Sequence, residues 1–345
     1  MKEKGQKNKW LMMLLKYVVP LVITIGLCYL MFTGIDFNEM LAIIKRDCNF
    51  TWIAMALCIS VLSHVFRAMR WRIQLRALGI NAPLFALVLS IFGTYAVNLV
   101  FPRLGEVWRT GYIAQRQQAQ FTTVFGSMVA DRLADTITVA LITLVTFLLA
   151  SRALLTYFAD NSATVDRISS LISSPWLWLA AIALVAAAWW FIAHKSDNKK
   201  IQKIQQQFRE LWQGFSVITS MQGKGRWLLL TIGLWGCYFV QLYLAFYAFG
   251  FTTEVLERHG ILAALVAFVL SSISMGVPSN GGIGPWQWAI IFALGIYGLP
   301  QAPAAAFANL VMGTQTLLLI VLGLFTFGCI ALDKKNKKKN NQIRE

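Results

Sequence analysis

The sequence predicts an all-α, polytopic membrane protein built from two inverted repeats, each of three spans plus a re-entrant helical hairpin. Three observations predict it. Apolar residues make up 57% of the 345-residue chain and charged residues only 13%, about half the charged share of a soluble domain. Several apolar stretches exceed the roughly 18–20 residues that cross a bilayer core. Two further apolar segments, 83–101 and 260–277, run into Pro- and Gly-rich breaks rather than polar loops.

The first span, 10–32, follows a basic start but is too long for a signal peptide and lacks a small-residue cleavage site, so it reads as a retained anchor. A second span follows at 51–70. Segment 83–101 then enters, breaks at Pro102 and returns as an amphipathic helix at about 103–116, and a third span covers 121–150. These elements form a first repeat over 1–150. Residues 151–226 hold an external loop, a span at 174–194 and a linker. Within it Ile201, Ile204, Phe208, Leu211, Trp212 and Phe215 recur at helical spacing across 198–218, which predicts an interfacial helix. The remainder of the second repeat, 227–331, has a span at 227–249, a hairpin at 260–298 broken at Pro278–Pro285, and a last span at 302–331. A basic tail follows at 332–345.

Charge distribution decides between this topology and eight plain spans. The formal net charge is +16. Lysines crowd both tails (Lys2, Lys4, Lys7, Lys9; Lys334, Lys335, Lys337–Lys339), and a third basic cluster runs from Lys195 to Arg226. The positive-inside rule places all three in the cytoplasm. Eight plain crossings put the 195–226 cluster outside. Two re-entrant hairpins restore it, because backbone can break at membrane depth where protein surrounds it. Each half then crosses three times, which inverts the second half as in many transporters. Pro102–Gly105 and Pro278–Gly281 echo each other as P-x-x-G. Eight plain spans with an unusual loop remain the alternative. The basic clusters abut apolar spans and so point to anionic lipid, not nucleic acid. The expected location is the inner (cytoplasmic) membrane, with both termini cytoplasmic; a homo-oligomer is compatible with the sequence. Four of the five cysteines lie in apolar spans and the three histidines are scattered, so no disulfide framework, metal site or cofactor is expected.

Ionisable residues inside a bilayer are costly and mark function. Asp131 lies ten residues into its span, roughly 15 Å along the axis at 1.5 Å per residue. Asp131 and Asp135 share a helix face and Arg132 sits between them. Arg103, Glu106 and Arg109 are spaced by three along the return arm. Together they make three positive and three negative groups, either a self-neutralising structural network or a set that exchanges partners with a charged ligand. Arginine suits a phosphate, which selects Arg103 and Arg109 as headgroup contacts. Asn98, before the break, can cap or hydrogen-bond there. The second break offers Ser279, Asn280, Gly281, Gly282 and Gly284, with Pro285 opening a half-helix and Trp286 and Gln287 facing the same region. Either that helix start is an anion site, or the glycines serve only the turn. Arg67, Arg70, Arg72 and Arg76 read as snorkelling anchors at the cytoplasmic interface, with Arg70 or Arg72 as candidates to guard the mouth.

These motifs resemble the lysylphosphatidylglycerol synthase transmembrane-region family, which includes the flippase portion of bacterial multiple-peptide-resistance proteins. The resemblance covers about residues 10–331. Pro102, Gly105, Glu106 and Arg109 match its proline–glycine segment; Asp131, Arg132 and Asp135 match its Asp-Arg motif; Pro278, Gly281, Gly282 and Gly284 match its second glycine-rich segment. Arg103 and Leu104 stand where the family often has glycine, and Trp286-Gln287 where it usually has Arg-Glu, which points to a different headgroup. No synthase domain follows, so lysyl transfer is not implied. The resemblance implies a lipid flippase for an anionic or polyprenyl-linked lipid, without catalysis. An intramembrane lipid-modifying enzyme, with Asp131 or Glu106 as base, and a non-transporting scaffold for envelope-lipid synthesis are the rival expectations.

Overall fold

The structure, a computed structural model, describes residues 37–150 and 216–342 apart from Pro278, and the isolated positions 179, 206, 209, 210 and 212. The span expected at 10–32, nearly all of that at 174–194 and most of the linker helix at 198–218 lie outside the described residues. Every regular element among the described residues is a helix.

Helix α1 (Phe37–Asp47) is short and amphipathic and has no counterpart in the sequence reading. Helix α2 (Phe50–Ala77) is capped by Asn49, whose side chain accepts from the Thr51 N–H at 3.1 Å. At 28 residues it is about 42 Å long. Helix α3 (Leu84–Val100) has 17 residues, about 25 Å, and stops short of a full crossing. Three residues later α4 (Leu104–Gln117) folds back and packs along it. Helix α5 (Phe121–Leu149) is a full-length span.

The second part again has a long helix, a pair of shorter apolar helices and a last long helix. After α6 (Val217–Ser220) comes the long α7 (Lys224–Phe246), then α8 (Gly250–His259), a second unanticipated amphipathic helix. It bends by 111° into α9 (Ile261–Ser274). The chain turns through 275–284 and returns as α10 (Pro285–Ile296), packed on α9. Helix α11 (Gln301–Gln342) contains the last span. It stays helical through most of the stretch expected to be a separate basic tail, because lysine and glutamine are good helix formers.

Among the described residues four helices, α2, α5, α7 and α11, are long and apolar enough to cross a membrane, and the bent pair α8–α9 adds a fifth candidate. The chain is thus a multi-pass helical membrane protein. Helices α2 and α7 pack against each other at the centre. Around them α3 lies on α11 and α5 on α9, while α4 backs onto α5 and α10 onto α11. Small residues permit close approach: Ala304, Ala305, Ala306 and Ala308 are fully buried around Phe246, Phe249 and Phe307. A second apolar cluster joins Trp71, Leu75, Leu87, Ile91, Ile113 and Val124. The outer faces are apolar too. Ile137, Leu141, Leu144 and Leu148 on α5 and Leu317, Val321 and Leu324 on α11 are exposed, as lipid-facing residues should be.

Candidate functional site

The polar chemistry lies inside. Along α2, Ser60, Ser63, His64, Arg67, Arg70 and Gln74 recur every three or four residues and form one stripe. All six are buried. The Arg67–Arg70 part of the stripe meets α5, while Ser60 accepts from Gln315 of α11 at 2.9 Å and His64 packs on Tyr95 of α3.

Two arginines of the stripe grip both aspartates of α5. Arg70 Nη2 donates to Asp131 Oδ1 at 2.6 Å and to Asp135 Oδ1 at 2.8 Å. Arg67 Nη1 donates to Asp135 Oδ2 at 2.7 Å and lies 3.5 Å from Asp131 Oδ2. Its other nitrogens, Nε and Nη2, reach the Tyr238 hydroxyl of α7 at 3.3 and 3.2 Å. Such charge-assisted bonds hold three helices in one register.

The hairpin supplies the rest. Arg132 Nη2 donates to Glu106 Oε1 at 2.8 Å, and Asn98 Nδ2 donates to Glu106 Oε2 at 3.2 Å. Asn98 Oδ1 accepts from the Gly105 N–H at 2.8 Å and so ties the start of α4 to the end of α3. Arg109 is fully buried beneath the Trp71 ring, 4.5 Å from its centroid. Its nearest carboxylate oxygen, Asp131 Oδ2, lies 3.6 Å away. None of the three Arg109 guanidinium nitrogens makes a hydrogen bond.

The geometry corrects the sequence reading on three points. Arg67 and Arg70 are not snorkelling anchors: both sit in the protein interior, because the aspartates of α5 meet them there. Arg76, by contrast, is exposed. The cluster is not balanced: among the described residues four guanidinium groups (Arg67, Arg70, Arg109, Arg132) face three carboxylates (Glu106, Asp131, Asp135). Arg103 is not part of it. Arg103 takes a left-handed conformation (φ 60°) at the hairpin tip, is exposed, and donates to the Gly276 carbonyl at 2.6 Å.

That contact joins the two hairpins tip to tip. From the other side Asn280 Nδ2 donates to the Leu99 carbonyl at 3.2 Å. Gly281 (φ +63°) packs so close that a Cβ would sit 2.6 Å from Leu99 Cδ2. Ser279 is buried with its hydroxyl unpaired. Gly282 and Gly284 also take positive φ. Gln287 is engaged within the protein: its Oε1 accepts from the Gly284 N–H at 2.7 Å and its Nε2 donates to Asn309 Oδ1 at 2.7 Å. The donor expected to greet an anion at the start of α10 is therefore spent within the turn. Among the described residues no group of three His, Cys, Asp or Glu side chains is placed to hold a metal ion.

The family model for the lysylphosphatidylglycerol synthase TM region matches residues 17–323. The UPF0104 membrane protein PH1989 of Pyrococcus horikoshii is 24% identical over 307 residues, which cover 81% of this chain and 88% of that protein. Glycosyltransferase AglD of Haloferax volcanii is 32% identical over 124 residues, 36% of this chain. The match spans only 20% of that glycosyltransferase's length.

Proposed function

The chain belongs to the lysylphosphatidylglycerol synthase TM region family, and we propose that it moves an anionic or polyprenyl-linked lipid between the leaflets of the cytoplasmic (inner) membrane. The carrying observation is the buried cluster on α2, α4 and α5, which among the described residues holds one more cation than anion in the protein interior. A purely structural network has no use for an unmatched charge there, whereas a site for an anionic headgroup needs one.

The packing supports an inverted repeat. Contacts pair off between the halves: α2 on α3 with α7 on α9, α3 on α4 with α9 on α10, α4 on α5 with α10 on α11, and α11 on α3 with α5 on α9. The contact of α2 with α7 pairs with itself, as the central contact of a pseudo-two-fold arrangement does. Three crossings per half set the halves in opposite orientations, with both termini in the cytoplasm. The headgroup is held against the hairpin arms. Relative rocking of the halves exposes it first to one leaflet and then to the other.

A non-transporting scaffold or lipid-modifying enzyme is the second reading, and the partial likeness to a glycosyltransferase favours it. Vesicles reconstituted with the purified chain and fluorescent lipids separate the two. The expected result is leaflet exchange of anionic lipid well above that of protein-free vesicles. No acceleration for any lipid class would leave the scaffold, and new lipid products would establish the enzyme.

A further inference from the structure

We infer that the buried cluster is completed by a ligand carrying a single negative charge, the phosphodiester of a lipid with an uncharged headgroup, docked on Arg109. The inference rests on the lipid reading above and specifies its charge.

Every carboxylate oxygen of the cluster except Asp131 Oδ2 already accepts a hydrogen bond of 3.2 Å or less. Asp131 Oδ1 and Asp135 Oδ1 take Arg70, Asp135 Oδ2 takes Arg67, and Glu106 takes Arg132 and Asn98. Asp131 Oδ2 lies between Arg67 and Arg109, beyond hydrogen-bond reach of Arg109. The Arg109 donors therefore remain unsatisfied in a fully buried site, the costliest state for a guanidinium. Trp71 covers one face of the group, and the unpartnered nitrogens along its edge are those with which a guanidinium holds a phosphodiester in bidentate fashion. One added negative charge neutralises the cluster. A dianion overshoots it, and a zwitterionic headgroup brings a second cation toward Arg109 and Arg132. Arg132 and Glu106, whose side chains are 35% and 18% exposed, mark the open side of the cluster.

An apolar seam argues for a lipid over free phosphate. Val139 and Ile142 of α5, Trp235 of α7 and Phe268, Val269 and Ser272 of α9 meet along this narrow seam, which, as it stands, has no room for a water-sized sphere. Val139 and Ile142 lie on the same face of α5 as Asp131 and Asp135, and Val139 is about 12 Å beyond Asp131. Parting of this seam between α5 and α9 would give the hydrocarbon of a lipid whose phosphate sits at Arg109 an apolar path.

Equilibrium binding to the purified full chain in a non-ionic detergent tests this. The probes are short-chain phosphatidylglycerol, phosphatidylcholine of the same chain length, geranyl diphosphate and inorganic phosphate. Phosphatidylglycerol is expected to bind about tenfold more tightly than phosphatidylcholine, the worth of one charge-assisted contact. Arg109→Gln is expected to abolish that preference without lowering the thermal midpoint, since it removes the surplus cation. Arg109→Lys is expected to keep the preference at weaker affinity. A merely structural Arg109 predicts the opposite: a lower midpoint in Arg109→Gln and an unchanged preference. Geranyl diphosphate binding more tightly than phosphatidylglycerol would overturn the charge count, and inorganic phosphate binding as tightly would overturn the lipid. Binding as expected without leaflet exchange would remove the translocation reading and leave this site standing.

Discussion

Asp131→Asn is expected to destabilise the protein by about 3–5 kcal/mol, the usual cost of removing one partner from a buried ion pair. The Asp131 carboxylate is completely buried and lies 2.6 Å from Arg70, 3.5 Å from Arg67 and 3.6 Å from Arg109. Neutralising it leaves four guanidinium groups facing two carboxylates in a largely buried site. Arg70→Gln restores part of the balance, so the double variant should be less destabilised than the two single losses combined. Unfolding of the purified variants in detergent, read as a double-mutant cycle, measures that coupling. Additive losses would mean that Asp131 and Arg70 do not act as a pair. Asp131→Asn adds to the excess positive charge that Arg109→Gln removes, so the two variants should move the thermal midpoint in different ways.

Gly105→Ala is expected to cost about 1–3 kcal/mol, as overpacking a fixed contact does, and to abolish transport. A Cβ at Gly105 would meet the Thr94 carbonyl oxygen at 2.1 Å and Asn98 Oδ1 at 2.7 Å. The nearer atom is backbone and cannot swing aside, so the two arms of the hairpin must part. Parting them breaks the Asn98 cap and, through Asn98, loosens Glu106 and its bond to Arg132. Gly111 lies in the same helix with nothing within 4 Å of its would-be Cβ. Gly111→Ala should therefore be neutral or stabilise by up to about 1 kcal/mol, from helix propensity alone. Equal midpoints for the two alanine variants would show that close approach at Gly105 is not limiting.

The elements that could be read from the sequence are those where chain chemistry acts locally. Pro102 and the glycines before Pro285 break apolar runs, and both breaks stand within one or two residues of the observed helix ends. Asp131 and Asp135 stood out because they interrupt a long apolar span. Arg67 and Arg70 did not, because they follow an apolar run and fit the pattern of interfacial anchors. The signal that identifies them is the spacing of Ser60, Ser63, His64, Arg67, Arg70 and Gln74, a polar stripe along one face of an apolar helix. Hydropathy averaged over a window erases such a stripe, whereas helical phase preserves it. The contact of Arg103 with Gly276 was illegible for another reason. It depends on two tips separated by 173 residues and on a backbone carbonyl, which carries no residue identity.

The arginine pair on α2 also sets a problem of timing during synthesis. Each arginine at the centre of a lone helix costs about 2.5–3.5 kcal/mol to place in lipid. Their carboxylate partners lie 61 and more residues downstream. At about 5–20 residues per second the ribosome needs several seconds to reach them. During that interval the aspartates that pair with Arg67 and Arg70 are not yet made, which favours holding the C-terminal half of α2 at the headgroup region. Only when α5 is made can the stripe sink inward. The first half of this protein is therefore assembled from two helices that seat together, and the carboxylates of α5 act on folding as a late-arriving key for a helix already waiting at the membrane surface.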